Sequence, residues 1–231
     1  MPSTKKTLHF MSSALVTSIS VAMLGYAMST QWVKTTMECA PSGYELFNGT
    51  AVVTLELFEG NSNRTACPFF GGINEFQVFP QLGKAGGAPV ILHGLAVGLL
   101  VLCLLFSAGS ILIALYNSVS NPYETYMGPV GFYACSSLSA SVSFVVLILI
   151  VVNVNLTNMA EEVVKDFAGE DVIQLRNKWS EMQVGYYLLI PYIVLSLLAI
   201  GLIYMYEHAA YTQRKEQQRP TEDAPKEIMM Y

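Results

Sequence analysis

The sequence has few charged residues. Only 13% of its 231 residues are Asp, Glu, Lys or Arg, against 53% hydrophobic residues, and the formal net charge is -5. An average soluble domain carries about 25% charged residues. Binding to nucleic acid requires clustered Lys and Arg that neutralise phosphates, and no such basic stripe is present. We therefore expect a membrane protein with no nucleic-acid partner.

The sequence also lacks the motifs of common active sites. It contains no CxxC, HExxH or GxSxG motif and no phosphate-binding loop. Its three histidines, His9, His93 and His208, lie far apart in the sequence, near the ends of apolar runs. A metal or acid-base site requires such groups to converge with carboxylates or cysteines. We predict no enzymatic activity, no metal and no cofactor, and interpret His93 as a polar residue at the membrane boundary.

Four long runs contain no Asp, Glu, Lys or Arg, and each is long enough for the roughly 20 residues that a membrane-spanning helix needs. They predict four transmembrane helices, at 7–30, 90–116, 129–154 and 184–206. The segments between them are a cytosolic amino terminus (1–6), a large extracellular loop (31–89), a cytosolic connector (117–128), a second, partly helical extracellular loop (155–183) and a cytosolic tail (207–231). A cleaved signal peptide ending near Ser29 is the alternative for the first run, but its length and the interfacial Trp32 favour retention.

Basic residues and glycosylation motifs predict the orientation. Lys5 and Lys6 precede the first helix, and basic residues also begin the tail, so both termini are expected in the cytosol. The large loop carries acceptor motifs at Asn48 and Asn63, which are meaningful only in the secretory lumen. We predict N-glycosylation at both, and none at Asn155, because that motif lies too near the membrane. The predicted location is the plasma membrane.

The large loop also carries Cys39 and Cys67. Its compartment is oxidising, so we predict a disulfide between them, two free thiols being the alternative. In the chain-entropy model, closing the loop between these two cysteines stabilises the folded state by about 3 to 4 kcal/mol. Alternating polar and apolar residues at 54–57 and 76–78 predict short strands. A sheet this small needs support, and we predict that Trp32, Leu57 and Phe58 dock it onto the helices.

Two helical patterns predict further packing. A GxxxG motif at Gly94 and Gly98 favours close approach of another helix. In the second loop, apolar residues recur at helical spacing, which predicts that the third helix continues beyond the membrane and covers the sheet. These residues are Met159, Val163, Val164 and Phe167.

Several stretches resemble the clarin family. They are Met1 to Lys6, Trp32, Leu57-Phe58-Glu59-Gly60, Asn121-Pro122-Tyr123-Glu124-Thr125 and Gly128-Pro129-Val130-Gly131-Phe132-Tyr133. The resemblance covers nearly the whole chain, and the motif at 121–125 is its most specific part. It implies a glycosylated four-helix bundle with a small extracellular β-sheet, of claudin-like tetraspan architecture, without catalysis. Glu56 departs from the family's Gly-Leu-Phe motif. One cysteine precedes Leu57-Phe58 and the other follows it, unlike the claudin signature, which argues against a paracellular barrier.

These features predict a non-enzymatic membrane organiser. We expect it to bind membrane lipids and other membrane proteins through its extracellular loop and its helix faces. The alternative is an auxiliary subunit that modulates a channel or transporter. An independent pore is disfavoured because no ionisable Asp, Glu, Lys or Arg lies inside the four apolar cores. The carboxyl end, with Met229 and Tyr231 in a hydrophobic-x-hydrophobic pattern, is a candidate ligand for a PDZ domain.

Overall fold

The computed structural model describes residues 4–44, 46–67, 71–119, 128–168 and 173–217. Within these ranges, four helices are long and apolar enough to cross a membrane. They are α1 (Thr4–Met28), α3 (Gly87–Val119), α4 (Gly128–Leu156) and α6 (Val184–Gln217). Helix α6 continues well into the segment expected to be a cytosolic tail, and Pro191 lies inside it. The prediction of a mostly helical protein with a small sheet is confirmed.

The four long helices form a ring in which α1 contacts α3 and α6, and α4 contacts the same two helices. Buried residues recur along each helix at alternating spacings of four and three. This heptad spacing is the geometry of left-handed helix bundles. In α3 the seam consists of Pro89, His93, Ala96, Leu100, Cys103, Ser107, Ser110, Ala114 and Asn117.

The seams contain many small and hydroxyl residues. Ser13, Thr17 and Ser20 are buried on α1, and Ser139 and Ser143 on α4, while large aliphatic side chains cover the outer surfaces of the helices. Lipid offers no hydrophobic gain from burying Leu against Leu, so close backbone approach and interhelical hydrogen bonds favour small polar seams. In the GxxxG motif, a Cβ added at Gly98 would meet nothing within 4 Å among the described residues, and one added at Gly94 would lie 3.6 Å from the Phe79 ring.

Five antiparallel strands form a sheet beyond one end of the bundle. They are β1 (Val33–Pro41), β2 (Gly49–Leu55), β3 (Glu59–Thr65), β4 (Gly72–Gln77) and β5 (Ile173–Met182), in the order β4-β3-β2-β1-β5. The alternation at 54–57 belongs to the end of β2 and the turn after it. Strand β5 comes from the segment between the last two long helices and pairs with β1, so the sheet draws on both loops. No strand was predicted in that segment.

Two short helices support the sheet: α2 (Val78–Lys84) and α5 (Met159–Ala168). The predicted continuation of the third helix is instead the separate helix α5, because α4 ends at Leu156. The polar residues Thr157 and Asn158 separate the two, and the Asn158 carbonyl accepts a hydrogen bond from the Glu162 amide in the first turn of α5. Such residues favour helix ends because they compete for backbone hydrogen bonds.

Helix α5 covers the inner face of the sheet. Its buried residues Met159, Ala160, Val163 and Val164 belong to one apolar core with inward-facing residues of β1 and β2 and the outer ends of the long helices. Sheet and bundle therefore share a continuous core. As the sequence predicts, these apolar residues lie against the sheet.

Candidate functional site

The sheet meets the helices at a junction centred on Trp32, which lies between α1 and β1 and is 2% exposed. Its indole Nε1 donates a hydrogen bond to the Ala27 carbonyl (2.9 Å), and its backbone amide donates to the Leu55 carbonyl (2.8 Å). Its own carbonyl accepts from the Gln183 amide (2.8 Å), directly before α6. One residue thus joins the ends of α1, β2 and β5.

Close packing against α6 completes this contact. A Cβ built on Gly185 would lie 2.7 Å from the Trp32 Nε1 and 3.0 Å from the Ala27 carbonyl oxygen. Only a residue without a side chain allows the indole to lie here. Gly185 is a functional residue of the junction that sequence reasoning missed.

A second contact joins the β2–β3 turn to α3. Leu57 is fully buried, and its carbonyl accepts a hydrogen bond from His93 Nε2 (2.8 Å). The Phe79 ring lies 5.4 Å from the His93 ring and 6.3 Å from the Phe58 ring. Phe58 itself is 52% exposed, so the structure docks Leu57 but leaves Phe58 at the edge of the junction. The role of His93 could not be read from the sequence, because its partner is a backbone atom.

A disulfide closes the end of the sheet opposite the helices. Cys39 at the end of β1 and Cys67 after β3 are bonded, with 5.6 Å between their Cα atoms, and both are fully buried. The two cysteines are 28 residues apart in the chain. In the chain-entropy model, a cross-link that closes a loop of that length stabilises the folded state by about 3 to 4 kcal/mol. The two other cysteines, Cys103 and Cys135, are free.

Helix α5 is held to α2 by polar contacts at the surface. The Asp166 carboxylate accepts hydrogen bonds from the Gln81 amide (2.7 Å) and the Lys84 ammonium (3.0 Å). The Gln81 hydrogen bond, with that of Lys84, holds the pKa of Asp166 below its ordinary value. The Phe167 ring, 5.7 Å from that of Phe76, continues the contact onto β4.

The face of the sheet turned away from α5 carries one row of residues in register across all five strands. Trp179 of β5, Thr36 of β1, Val52 of β2, Asn63 of β3 and Ile73 of β4 stand side by side. Trp179 is 66% exposed and Ile73 is 69% exposed. We call these five residues the outer row. It presents apolar side chains at both edges, with an asparagine between them.

The three glycosylation motifs lie at different places. Asn48 is exposed and precedes β2, whereas Asn63 is exposed in the middle of β3. Asn155 lies in the last turn of α4, and its side-chain amide donates a hydrogen bond to the Val151 carbonyl (3.0 Å). Asn48 and Asn63 thus lie on the sheet, and Asn155 lies on a membrane-spanning helix.

An open concavity of about 430 Å³ lies near the end of β2, β3 and β4 that faces the helices. Its lining is rich in carboxylates and amides: Gln31, Thr54, Glu56, Glu59, Gly60, Asn61, Glu75, Phe76 and Gln77. Across the described ranges, no group of three or more His, Cys, Asp or Glu is placed to hold a metal ion.

A buried cluster of hydrogen bonds joins three of the long helices, and we call it the hydroxyl cluster. The Tyr192 hydroxyl of α6 lies 2.7 Å from that of Ser107 on α3 and also contacts the Ser139 hydroxyl of α4. The Cys103 thiol lies 3.2 Å from the Ser143 hydroxyl. These groups satisfy one another without ionised partners. Sequence reasoning missed Tyr192.

Two predicted features lie outside the described residues. They are the candidate PDZ ligand at Met229 and Tyr231 and the motif at 121–125 in the connector.

Four apolar helices and a small antiparallel sheet, assembled from the two loops on one side, define a multi-pass membrane protein of the tetraspan class. Comparison with known proteins identifies the family. The Clarin-2-like family model matches residues 4–191. Clarin-3 of Homo sapiens is 32% identical over 238 residues, covering 100% of both chains, and Clarin-3 of Mus musculus is 31% identical over 235 residues with the same coverage. Clarin-1 of Homo sapiens is 28% identical over 193 residues, covering 77% of this chain and 79% of its own. The chain belongs to the clarin family, as its motifs predicted.

Proposed function

We propose that this clarin is a non-enzymatic organiser of the plasma membrane, which binds other membrane proteins through its extracellular sheet and contacts lipid through its helices. Both termini lie in the cytosol, and Asn48 and Asn63 carry glycans. The partners are membrane proteins, with a PDZ-domain protein at the carboxyl end as a further candidate.

The observation that carries this proposal is the rigid attachment of an exposed recognition surface. Trp32, Leu57 and His93 fix the sheet to the helices by direct hydrogen bonds, while Trp179 and Ile73 remain about two-thirds exposed. Large exposed aromatic and aliphatic side chains on a rigid scaffold are typical of protein-binding surfaces, since little entropy is lost on binding.

Proximity labelling in cells tests the proposal. The full chain, with a labelling enzyme on its cytosolic carboxyl end, is compared with Cys39→Ser, Cys67→Ser and Trp179→Ala variants. We expect one set of membrane proteins from the wild type and a reduced set from all three variants, once labelling is normalised to surface amount. Unchanged labelling by variants that reach the surface would place recognition in the helices or the tail.

The alternative role, as an auxiliary subunit of a channel or transporter, has the same surface and differs in its consequence. An auxiliary subunit changes the current or flux of a co-expressed partner, whereas an organiser changes only where the partner lies. Recording the partner's current at matched surface density separates the two roles.

A further inference from the structure

The β2–β3 turn carries a half-exposed phenylalanine beside α3. Leu57 is buried and bonded to His93, so the turn is fixed, yet the next residue, Phe58, is 52% exposed. The Phe58 ring lies 6.3 Å from the Phe79 ring of α2, and a Cβ built on Gly94 of α3 would lie 3.6 Å from Phe79. We call Phe58 and Phe79 the aromatic pair. The open face of Phe58 is available for a contact outside the part of the chain that the structure describes.

The aromatic pair lies at the sheet-side end of an apolar row on α3. Residues spaced by four, three, four and seven positions share one face of a helix. Val101, Leu105 and Leu112 of this row are 44%, 62% and 68% exposed, which places the row on the outside of the bundle. The row consists of Gly94, Gly98, Val101, Leu105 and Leu112. Because Phe79 lies against its first member, the aromatic pair continues the lipid-facing surface of α3 onto the sheet.

Helix α6 indicates how deep the aromatic pair lies. Helices α3 and α6 both begin at the sheet side, and Tyr192 of α6 meets Ser107 of α3 at 2.7 Å. The apolar start of α6, Val184, is eight residues or about 12 Å further out, whereas Gly94 is thirteen residues or about 20 Å further out. The aromatic pair thus lies about 8 Å beyond the start of α6. That distance corresponds to the headgroup layer, which is roughly 5 to 8 Å thick on each side of the hydrocarbon core.

The charges around the turn indicate which lipid surface fits. Glu56 and Glu59 flank Leu57 and Phe58, and Glu59 is exposed. The one basic residue of α2, Lys84, is paired with Asp166 (3.0 Å). Carboxylates at the depth of the headgroups are repelled by anionic lipids. The surface therefore fits a zwitterionic leaflet.

We propose that the aromatic pair inserts into the headgroup layer on the sheet side of the membrane, so that the β2–β3 turn rests on zwitterionic phospholipid. Apolar side chains buried to this depth are typical of surfaces that lie on a bilayer. The inference extends lipid contact from the helices to the sheet and does not depend on which proteins the outer row binds. Its consequence is a sheet supported by lipid as well as by helices, which fixes the tilt of the outer row relative to the membrane.

Quenching by brominated lipid tests the insertion. The full-length Phe58→Trp variant is placed in nanodiscs of phosphatidylcholine brominated near the carbonyl end of its acyl chains, and its emission is compared with that in unbrominated nanodiscs. Wild-type protein supplies the background from Trp32 and Trp179. Ile73→Trp is the matched control, because Ile73 is 69% exposed on the same sheet. It lies four residues of β4 before Gln77, about 13 Å further from the helices.

We expect bromine to lower the emission added by Phe58→Trp at least about twofold, as for a ring at the boundary of headgroups and acyl chains, and to leave that added by Ile73→Trp unchanged. Equal quenching of the two variants, or none at position 58, overturns the inference.

Photo-crosslinking provides a second measurement that decides the case if Phe58→Trp lowers Tm. A photoreactive phenylalanine at position 58 of the full chain is irradiated in living cells. Lipid adducts are expected. Discrete protein adducts without lipid adducts would show that a protein covers Phe58 and would overturn the inference.

Discussion

Replacing Tyr192 by Phe removes one hydroxyl from the centre of the hydroxyl cluster and leaves the ring in place. The Tyr192 hydroxyl lies 2.7 Å from that of Ser107 and contacts that of Ser139. Interhelical hydrogen bonds in membranes contribute about 0.6 kcal/mol on average and about 1.7 at most. The Ser107 and Ser139 hydroxyls are 3.1 Å apart and can bond to each other in the variant. We therefore expect a loss of about 1 kcal/mol for the two contacts together.

Thermal unfolding in mild detergent or nanodiscs measures this loss. For a chain of this size, about 1 kcal/mol corresponds to a Tm lower by about 2 to 4 °C. Tyr187→Phe is the matched control, because Tyr187 lies on the same helix and is 56% exposed. A double-mutant cycle of Tyr192→Phe with Ser107→Ala should give a coupling free energy of about 0.6 kcal/mol. If Tyr192→Phe unfolds at the same temperature as Tyr187→Phe, the hydroxyl cluster does not stabilise the bundle and the reasoning is refuted.

Three further variants test the contacts of the sheet. Gly185→Ala places a Cβ against the Trp32 indole and should destabilise by about 1 to 3 kcal/mol, seen as a lower Tm and reduced surface delivery. His93→Ala leaves the buried Leu57 carbonyl without its donor, which costs about 1 to 3 kcal/mol and should raise proteolysis of the loop that carries Leu57. Asp166→Asn should make Tm less sensitive to acid. Because the folded-state pKa of Asp166 is below its ordinary 3.8, its contribution is present above that pH and lost as the pH falls below it.

Each of these variants has a control in the chain. Gly201→Ala adds the same methyl group on α6 at a position where none of the described residues lies within 4 Å, and it should not lower Tm, because Ala favours a helix over Gly. His208→Ala removes an exposed histidine from the other end of the bundle. Wild type should lose Tm more steeply than Asp166→Asn as the pH is lowered below 3.8. Equal behaviour within any of these pairs contradicts the contact assigned to it.

The helices could be predicted because a charge-free apolar run long enough to span a bilayer usually forms a transmembrane helix. Their faces are harder to predict, since both the seams and the lipid-facing surfaces are uncharged, and hydropathy does not separate the buried Ser139 from the exposed Ser141. The structure places Ser139 in the heptad seam and leaves Leu138 48% exposed.

Strand β5 was missed because its sequence is polar and irregular. Its residues acquire strand structure by pairing with β1, more than a hundred residues earlier in the chain. The same reason hid the role of His93, whose partner is the carbonyl of Leu57. Patterns within a short window predict elements, while contacts between distant segments decide how a docked sheet is held.

The most direct test of the organiser role is photo-crosslinking from single positions of the full chain in living cells. A photoreactive amino acid at Trp179 reports on the outer row, and one at Leu112, which is 68% exposed on α3, reports on the lipid-facing surface. We predict discrete adducts with membrane proteins from position 179, the same ones in repeated experiments, and mainly lipid adducts from position 112. Absence of protein adducts at 179 with discrete protein adducts at 112 would contradict recognition by the extracellular sheet.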